Sequence, residues 1–441
     1  MPFSHAKLTA AAKQALSHMG EALDIPLSVA LWDGSTTSLG KTPANNARVT
    51  IKNPGVIASL MRRPTLENLA RHYATENIAF EGNLIATSQL VRAKLKKKDL
   101  KRLNKKLLMA RLWPFLLVRG QKAKPSHGFK SNAEGAAHTN KNNKAYIHFH
   151  YDVSNEFYRL FLDPEMQYSC GYFTDWAGSL EQAQQDKLEM ICRKLRLKKG
   201  ERLLDIGCGW GGLICYAAKH YGVKAHGITL SEEQYAFTRD KIRALGLEGQ
   251  VTVEIRDYLA LEGTYDKIAS IGMFEHVGLK NFPTYFRKIN SLLVDRGIVL
   301  NHGIARRGKM DLRKALSHLT AEKRLILKYI FPGSELAPIG HTVNQMEANG
   351  FEVHDVEAWR EHYAPTCRHW CERLEANKEK AVALVGPERY RLWIAYLAGV
   401  SLGFEAGSIL IFQTVATKRG KTKGPSGMPP TRADLYVPNR N

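Results

Sequence analysis

Short apolar runs alternate with amphipathic segments through the second half of the chain. The runs stop at glycine or polar residues, as buried strands do, and the segments between them have the three-to-four-residue spacing of helices. The predicted strands are 202–206, 223–229, 251–255, 265–271 and 297–301, and the predicted helices are 213–220, 231–245 and 282–293. Strands that alternate with helices predict a parallel sheet covered on both faces, with a ligand at the carboxyl ends of the strands.

The end of this pattern needs two further assignments. Residues 305–345 interrupt the alternation with a helical insertion, which we interpret as a substrate cover. Residues 392–412 are long enough to span a membrane, but Glu405 lies inside them and β-branched residues crowd only their second half. We therefore predict a buried helix at about 388–405, followed by a core strand at about 408–416.

The first 90 residues have a different pattern, which predicts a small α+β domain. Residues 26–34 are predicted to form a strand that enters an Asp-Gly turn, with 47–52 as its partner. Helical spacing follows at 54–61 and again at 66–75.

Residues 91–143 separate this domain from the α/β domain at 144–416 and contain a basic amphipathic segment, 91–111, and a linker. Beyond the α/β domain, 417–441 are predicted to be a loose tail. In the basic segment, Leu95, Leu100, Leu103 and Leu107 recur every three to five residues between lysines, and Leu108 follows directly. Two interpretations stay open, a solvated helix that packs its leucines on the protein or an interfacial helix attracted to anionic headgroups. Residues 119–143 are rich in Lys, Gly, Ser and Asn and predict a flexible linker.

The net charge indicates the class of partner. The 441 residues carry a formal net charge of +22, which favours a phospholipid surface, an acidic substrate or a nucleic acid. The six cysteines include no Cys-x-x-Cys pair, so the sequence predicts neither a disulfide framework nor a metal site. The first residues contain no apolar run typical of a signal peptide, and we therefore predict a cytoplasmic protein.

The most informative local motif is the glycine cluster after the first strand of the α/β domain, Leu203-Leu-Asp-Ile-Gly-Cys-Gly-Trp-Gly-Gly-Leu213. Gly207 and Gly209 permit positive φ and let a ligand lie directly on the backbone. The loop lacks the Lys-Ser/Thr of a phosphate-binding loop, and Asp205 suits a cationic or hydroxylated ligand better than a pyrophosphate. The motif resembles the S-adenosylmethionine loop of class I methyltransferases.

The next two strand ends carry further candidate ligand groups. The second strand ends in Gly227-Ile-Thr-Leu-Ser231, without the acid that holds ribose in dinucleotide folds. Thr229 and Gln234 can supply hydroxyl and amide contacts instead. Asp257 and Tyr258 follow the third strand and suit adenine, since the carboxylate can bind its amino group and the ring can stack on it.

Three motifs taken together are specific to one family: Gln167-Tyr-Ser-Cys170, the glycine loop 205–212, and Met273-Phe-Glu-His-Val-Gly278. In this order and spacing, the chain from about 146 to 413 resembles the cyclopropane-fatty-acyl-phospholipid synthases and the mycolic acid cyclopropane synthases. The first 120 residues resemble more weakly the N-terminal lipid-binding domain of that family. The resemblance implies an α/β, Rossmann-like class I methyltransferase fold with a mostly parallel seven-stranded sheet, a helical substrate cover and a small α+β N-terminal domain.

The resemblance implies methylene transfer from S-adenosylmethionine to the cis double bond of an unsaturated phospholipid acyl chain, which forms a cyclopropane ring through a carbocation. The implied cofactor contacts, with Asp205 added from its place before the turn, are Tyr168, Ser169, Asp205, Gly207, Gly209, Thr229, Leu230, Gln234, Asp257 and Tyr258. The implied base is a bound bicarbonate, held by Cys170, Glu275, His302, the backbone of Ile304, and Tyr363. Aromatic faces can stabilise a cation without attacking it, and the candidates are Tyr146, Phe149, Tyr151, Tyr172 and Trp176.

The role of Glu275 is expected to be either orientation of His302 or sharing of the proton. The chain departs from the family at two positions, since Val400 stands where most relatives have a cysteine and Glu405 where they have an arginine. A covalent thiol mechanism at Val400 is therefore excluded. The same cation can also lose a different proton or be reduced, so a C-methyltransferase that makes methyl-branched or methylene fatty acyl chains is the alternative.

Two other classes of function explain less of the sequence. Nucleic-acid methylation would account for the charge, but the chain lacks an Asn/Asp-Pro-Pro-Tyr/Phe motif and its basic residues cluster outside the catalytic half. A non-catalytic lipid carrier would rest on residues 1–90 alone, and Glu275 and His302 argue against it. We therefore predict an enzyme that lies peripherally on the anionic inner face of the membrane and acts on unsaturated acyl chains, without a nucleic-acid partner; the oligomeric state stays open, with a homodimer as one possibility.

Overall fold

The computed structural model describes residues 3–41, 47–95, 97–124, 154–308, 321–330, 334–421 and 424–436. The chain forms two compact units. The first contains residues 1–128, 318–330 and 378–402, and the second contains residues 129–317, 331–377 and 403–441. Each unit is therefore assembled from three separate stretches of the sequence.

The first unit is built on a four-stranded sheet. Its first elements are α1 (His5–Leu23), β1 (Ser28–Ala30), β2 (Thr36–Ser38), β3 (Arg48–Ile51), α2 (Pro54–Arg62), α3 (Leu66–Ala74), β4 (Ile78–Glu81), α4 (Leu84–Lys94), α5 (Lys97–Leu100) and α6 (Lys105–Leu112). The strand order is β2-β1-β3-β4, and β1 is antiparallel to β2 but parallel to β3. The predicted pairing of strand 26–34 with 47–52 is confirmed, while β2, which follows the Asp-Gly turn, was not predicted.

The basic segment at 91–111 is not one continuous helix, contrary to the pattern of its leucines. Helix α4 ends at Lys94 and α6 begins only at Lys105. The side chain of Asn104 accepts the backbone N–H of Leu107 at 3.1 Å and so starts α6 anew. Leu100 is exposed, whereas Leu107 is partly buried. The leucines of this segment are therefore divided between exposed and partly buried positions.

The second unit is an α/β fold. Its elements are α7 (Asn155–Arg159), α8 (Leu180–Leu195), β5 (Arg202–Ile206), α9 (Gly212–Tyr221), β6 (Lys224–Thr229), α10 (Glu232–Ala244), β7 (Val251–Ile255), β8 (Tyr265–Ile271), α11 (Phe282–Leu292), β9 (Leu293–Arg306), α13 (Ile339–Ala348), β10 (Phe351–Ala358), α14 (Arg360–Ala376) and β11 (Ile409–Lys418). The sheet order is β10-β11-β9-β8-β5-β6-β7. The two pairings of β11 are antiparallel, and the other pairings of this sheet are parallel. The predicted class I methyltransferase fold with a mostly parallel seven-stranded sheet is confirmed.

Helices pack on both faces of this sheet. Consecutive strand residues point to opposite faces, so Leu203 and Leu204 of β5 belong to different cores. Leu203 packs in a core with Ile214 of α9, and Leu204 packs in a core with Phe286 of α11 and with Met346 of α13. The strand ends, left uncovered by these cores, are the edge at which a ligand can bind.

Two helices from later in the chain complete the first unit. They are α12 (Ala321–Tyr329) and the part of α15 (Lys378–Glu405) that ends at Leu402. Lys328 Nζ of α12 lies 2.9 Å from Glu67 Oε1 of α3. The predicted helix and strand at 388–405 and 408–416 are confirmed by α15 and β11. No helix in the described part of the chain is long and apolar enough to cross a membrane.

The described part of the C-terminal tail contacts the second unit. Leu435 is buried, and its carbonyl accepts a hydrogen bond from Arg193 of α8 at 3.1 Å. Arg196, just after that helix, pairs with Asp434 at 2.9 Å. These contacts hold residues of the tail, which the sequence suggested would be loose. Elsewhere in this unit, strand β9 continues to Arg306, into the region expected to begin the helical insertion.

Candidate active site

The glycine loop is a fixed turn between two strand ends. Strand β5 ends at Ile206, and Gly207 and Gly209 then adopt positive φ angles of 81° and 55°. The N–H groups of Gly207 and Cys208 both donate to the carbonyl of Ile228 at 3.0 Å, which ties the loop to β6. A Cβ atom on Gly207 would lie 2.9 Å from the Cβ atom of Met273, so the close approach of these segments requires glycine.

A cavity opens at the carboxyl ends of β5, β6, β7 and β8. All ten residues that the sequence assigns to the cofactor line it: Tyr168, Ser169, Asp205, Gly207, Gly209, Thr229, Leu230, Gln234, Asp257 and Tyr258. Trp210, Met273 and Val277 add apolar surface. Residues from four strand ends and from the segment before α8 therefore meet around one space, as the strand order predicts.

Buried opposite charges accompany this cavity. Lys187 of α8 is fully buried, and its Nζ donates to Ser169 Oγ at 2.8 Å and to Gln167 Oε1 at 2.6 Å. Asp205 is buried, and its Oδ1 has no hydrogen-bond partner within the described residues. Burial raises the pKa of Asp205 to about 7, against the opposing charge of Lys187. An unpaired carboxylate oxygen here suits a cationic or hydroxyl-bearing ligand.

The residues predicted to contact the ribose and the adenine are held in place by hydrogen bonds and ring contacts with neighbouring residues. The Thr229 hydroxyl donates to Gln234 Oε1 at 2.8 Å, so two predicted ligand groups bind each other. Asp257 caps the short helical turn that begins at Tyr258. The Tyr258 ring meets Tyr285 edge-on with centroids 5.4 Å apart, and burial raises its pKa to about 12. The phenol therefore stays neutral, and the cavity wall is preorganised.

A second cluster of buried polar groups adjoins the cavity through residues 272–276. Gly272 lines the cavity and donates its N–H to the carbonyl of His302 at 2.9 Å. Glu275 Oε1 accepts the N–H of Ile304 at 2.5 Å. Glu275 Oε2 and His302 Nε2 are buried and have no hydrogen-bond partner among the described residues. Burial raises the pKa of Glu275 to about 7 and lowers that of His302 to about 3, so the imidazole is neutral.

Two expectations for this cluster are corrected by the contacts. Glu275 does not orient His302; Gln413 of β11 does, with its Nε2 atom 3.0 Å from His302 Nδ1. The reason is the antiparallel register, which places Gln413 directly opposite His302. The Ile304 N–H, which the resemblance assigns to a bound anion, is taken by Glu275 instead.

Cys170 is brought to the cluster through Trp359, and Tyr363 lies on the helix that begins just after Trp359. The Cys170 thiol is buried and donates to the Trp359 carbonyl at 3.6 Å, and burial raises its pKa, so it is a thiol and not a thiolate. The Trp359 ring stands perpendicular to the His302 imidazole, with centroids 5.4 Å apart. Tyr363 follows four residues later on α14, where its ring packs on Phe404 at a centroid distance of 4.5 Å.

The aromatic residues suggested as cation stabilisers lie in different settings. Tyr146, Phe149 and Tyr151 fall outside the described residues. Tyr172 packs on Trp359 with ring centroids 4.8 Å apart, close to the polar cluster. Trp176 is 60% exposed to solvent. Because water weakens a cation–π contact, Trp176 is unsuited to the suggested role.

Sequence reasoning missed four buried side chains of this region: Lys187, Lys194, Trp359 and Gln413. Lys187 and Lys194 are seven residues apart on α8 and share the helix face that buries Ile191. Gln413 lies between Ile411 and Val415 on the buried face of β11. A lysine or an amide at an apolar position of a helix or strand is costly to bury. This was the available signal for the two lysines and for Gln413.

Comparison with known proteins agrees with the geometry. The mycolic acid cyclopropane synthetase family matches residues 138–414, and a domain of unknown function matches residues 13–105. The chain is 37% identical over 421 residues to a probable fatty acid methyltransferase of Pseudomonas putida. The match covers 94% of this chain and 98% of that protein. It is 39% identical over 269 residues to the cyclopropane-fatty-acyl-phospholipid synthase of Escherichia coli K12. That match covers 61% of this chain and 66% of that protein.

A solved structure supports the same assignment. A mycolic acid cyclopropane synthase complexed with SAH and CTAB superposes with a TM-score of 0.59 at 33% identity, covering 62% of this chain and 98% of that one. The family match extends over more than half of the chain and includes the glycine loop and the polar cluster. The chain therefore belongs to the mycolic acid cyclopropane synthetase family and is an S-adenosylmethionine-dependent methyltransferase.

Proposed function

We propose that the protein transfers a methylene group from S-adenosylmethionine to the cis double bond of an unsaturated phospholipid acyl chain and so forms a cyclopropane ring. The observation that carries the proposal is the pair of buried, unpartnered atoms among the described residues, Glu275 Oε2 and His302 Nε2, next to a segment that lines the cavity. Ring formation requires a proton to leave the transferred methyl group itself after that group has moved. Polar groups beside the methyl donor are therefore required.

The order of bond changes follows from the reactants. An isolated alkene is a weak nucleophile, so a sulfonium methyl group must be held in line with it. The alkene electron pair forms a bond to the methyl carbon, and the electrons of the carbon–sulfur bond leave with the sulfur. The other alkene carbon becomes a cation. Loss of a proton from the transferred methyl group supplies the electrons that close the ring.

The buried cluster fits a small oxyanion. The unpartnered atoms of Glu275 and His302 can hydrogen-bond to it, and the un-ionised thiol of Cys170 adds no negative charge beside it. These residues and Tyr363 would hold bicarbonate, which would supply the base when bound. Glu275, with a pKa raised by burial to about 7, can share the proton at neutral pH. Ile304 would contribute only if Glu275 released its N–H.

A C-methyltransferase that makes methyl-branched or methylene fatty acyl chains is the second candidate. The Pseudomonas putida relative, which covers 94% of the chain, is named a probable fatty acid methyltransferase. Val400 and Glu405 also replace the cysteine and arginine of most relatives. Both reactions use the same methyl donor and pass through the same cation. They differ in which proton leaves the cation or, for a saturated branched chain, in its reduction by a hydride donor.

One experiment separates the two products. The full-length protein is incubated with S-adenosylmethionine deuterated on its methyl group and with vesicles of unsaturated phospholipid, and the fatty acids are analysed by mass spectrometry and NMR. Ring closure and formation of an exocyclic methylene group both remove one deuteron from the transferred methyl group, whereas a methyl branch retains all three. We expect ring-proton signals and the loss of one deuteron. Olefinic carbon signals or full retention of the deuterons would support the second candidate, and unlabelled lipid would contradict both.

We also propose that the protein lies peripherally on the anionic inner face of the membrane, in the cytoplasm. A fixed turn of the first unit supports this proposal. Trp113 and Leu117 are 48% and 57% exposed, whereas Phe115 between them is buried. Arg62 donates to the Leu116 carbonyl at 2.7 Å and holds the turn in place. Exposed apolar side chains on a rigid turn, next to the basic helix α6, suit contact with a lipid surface.

Neutralising five lysines of the basic segment should weaken binding to anionic vesicles: Lys96, Lys97, Lys98, Lys105 and Lys106. Each basic residue near such a surface contributes about 1 kcal/mol, so the loss of five, or about 5 kcal/mol, should lower vesicle affinity by about a thousand-fold or more. High salt should have the same effect on the wild type because it screens these charges. Vesicle co-sedimentation measures both.

A matched control removes as many exposed charges from the second unit: Lys198, Lys199, Lys219, Lys224 and Lys280. This control variant has the same net charge as the variant of the basic segment, and it should bind vesicles more tightly than that variant does. Binding that is insensitive to salt and survives loss of the basic segment would contradict the membrane proposal.

A further inference from the structure

Three side chains form a row across the antiparallel strands of the second unit. Glu357 of β10 pairs in register with Gln413 of β11, and Gln413 pairs in register with His302 of β9. Residues directly opposite in antiparallel strands project from the same face of the sheet. Lys194 of α8 contacts this row, since its Nζ donates to Glu357 and to Gln413 Oε1, the latter at 2.8 Å. Gln413 Nε2 then lies 3.0 Å from His302 Nδ1.

Chemistry fixes the direction of each hydrogen bond in this row. An ammonium group only donates, so Gln413 presents its carbonyl oxygen to Lys194. Its NH2 group, also only a donor, then faces His302, whose Nδ1 must accept. The opposite amide orientation would bring two donors together at Lys194 in a fully buried place, which is costly. The proton of the neutral imidazole is therefore on Nε2.

We infer that Lys194 and Gln413 are positioning residues that hold His302 in the Nε2-protonated tautomer. His302 then presents a hydrogen-bond donor, and not a base, at its unpartnered Nε2. The tautomer follows from the row alone. Only the assignment of this donor to an oxyanion beside Glu275 rests on the proposed function.

The charges around the row agree with this inference. Burial lowers the pKa of His302 to about 3, and the positive charges of Lys187 and Lys194 act in the same direction, so a second proton does not bind. Burial acts to raise the pKa of Glu357, but Lys194 lowers it overall, so Glu357 stays ionised and balances the buried lysine. Lys194 can therefore remain the donor on which the orientation of Gln413 depends.

The tautomer can be measured without substrate. In full-length protein labelled with ¹⁵N-histidine, long-range nitrogen–proton NMR spectra distinguish the two neutral tautomers, and a His302→Gln variant identifies the signal among the 16 histidines. We expect the Nε2-protonated form. An Nδ1-protonated His302 would overturn the inference, whether or not the protein forms cyclopropane rings.

Two substitutions test the positioning role. Gln413→Glu replaces the donor by an acceptor and should move the imidazole proton to Nδ1, while Gln413→Met removes the hydrogen bond and should leave both tautomers populated. Each should lower kcat by about ten- to a hundred-fold with unchanged affinity for S-adenosylmethionine. Thr417→Val is the matched control, because it removes a hydrogen bond from β11 to His354 of the neighbouring strand β10 and should alter neither the His302 tautomer nor kcat.

The outcomes separate this inference from the proposed function. Reversal of the tautomer in Gln413→Glu without loss of kcat would overturn the positioning role. A wild type that shows the expected tautomer but transfers no methyl group to lipid would support the tautomer and contradict the proposed function alone. If neither variant folds, the wild-type spectrum still decides.

Discussion

Replacing Gly207 by valine is expected to abolish the binding of S-adenosylmethionine. Gly207 has a φ of 81°, at which a β-branched side chain is strained by about 1–3 kcal/mol. Its Cβ atom would also lie 2.9 Å from the Cβ and Cγ atoms of Met273. Both residues line the cavity, so the added methyl groups would displace Met273 or fill the ligand space. Affinity measured by calorimetry should fall by at least about a hundred-fold.

Gly200→Val separates obstruction from strain. Gly200 has a φ of 84°, and a Cβ atom there would meet no other atom within 4 Å. The residue precedes β5 and is not among the described residues that line the cavity. This variant should therefore lose stability without losing the ligand. A folded Gly207→Val protein with unchanged affinity would contradict the assignment of the loop, and an equal loss in Gly200→Val would attribute the effect to strain alone.

The cavity could be predicted because its signals are local. Strand β5 is an apolar run that stops at Gly207, and the next strands end at Thr229 and just before Asp257. In a parallel sheet these carboxyl ends meet at one edge, so residues at strand ends come together whatever the length of the helices between them. Knowledge of which segments were strands was therefore enough to bring seven of the ten cavity residues together, whereas Tyr168, Ser169 and Leu230 were assigned from the family resemblance.

The polar cluster could not be predicted in the same way because it depends on register. Gln413 and His302 are 111 residues apart, and only the antiparallel pairing of β11 with β9 brings them opposite each other. Neither apolar periodicity nor motif spacing fixes such a pairing. The sequence accordingly suggested Glu275 as the partner of His302, although Glu275 binds the N–H of Ile304. The spacing of the leucines similarly predicted one helix at 91–111, whereas in the structure Asn104 starts a new helix within that segment.

Replacing Glu275 by glutamine is expected to disable ring closure and leave S-adenosylmethionine binding intact. Glutamine keeps an oxygen that can accept the Ile304 N–H, which Glu275 now accepts at 2.5 Å, so the local structure is retained. The variant loses a buried carboxylate whose pKa is raised by burial to about 7. An amide at that place can neither take up nor release a proton. We expect kcat to fall by about ten- to a hundred-fold or more, as for a loss of about 1–3 kcal/mol or more.

Two companion variants locate the proton acceptor. His302→Ala should cause a loss of similar size because it removes the other unpartnered polar group of the cluster, counted over the described residues. Cys170→Ser should be milder, since a hydroxyl can donate to the Trp359 carbonyl as the thiol does. Glu275 is not among the described residues that line the cavity, so calorimetry should show unchanged cofactor affinity in Glu275→Gln. Full activity in that variant, or a greater loss in Cys170→Ser than in His302→Ala, would place the proton acceptor outside this cluster.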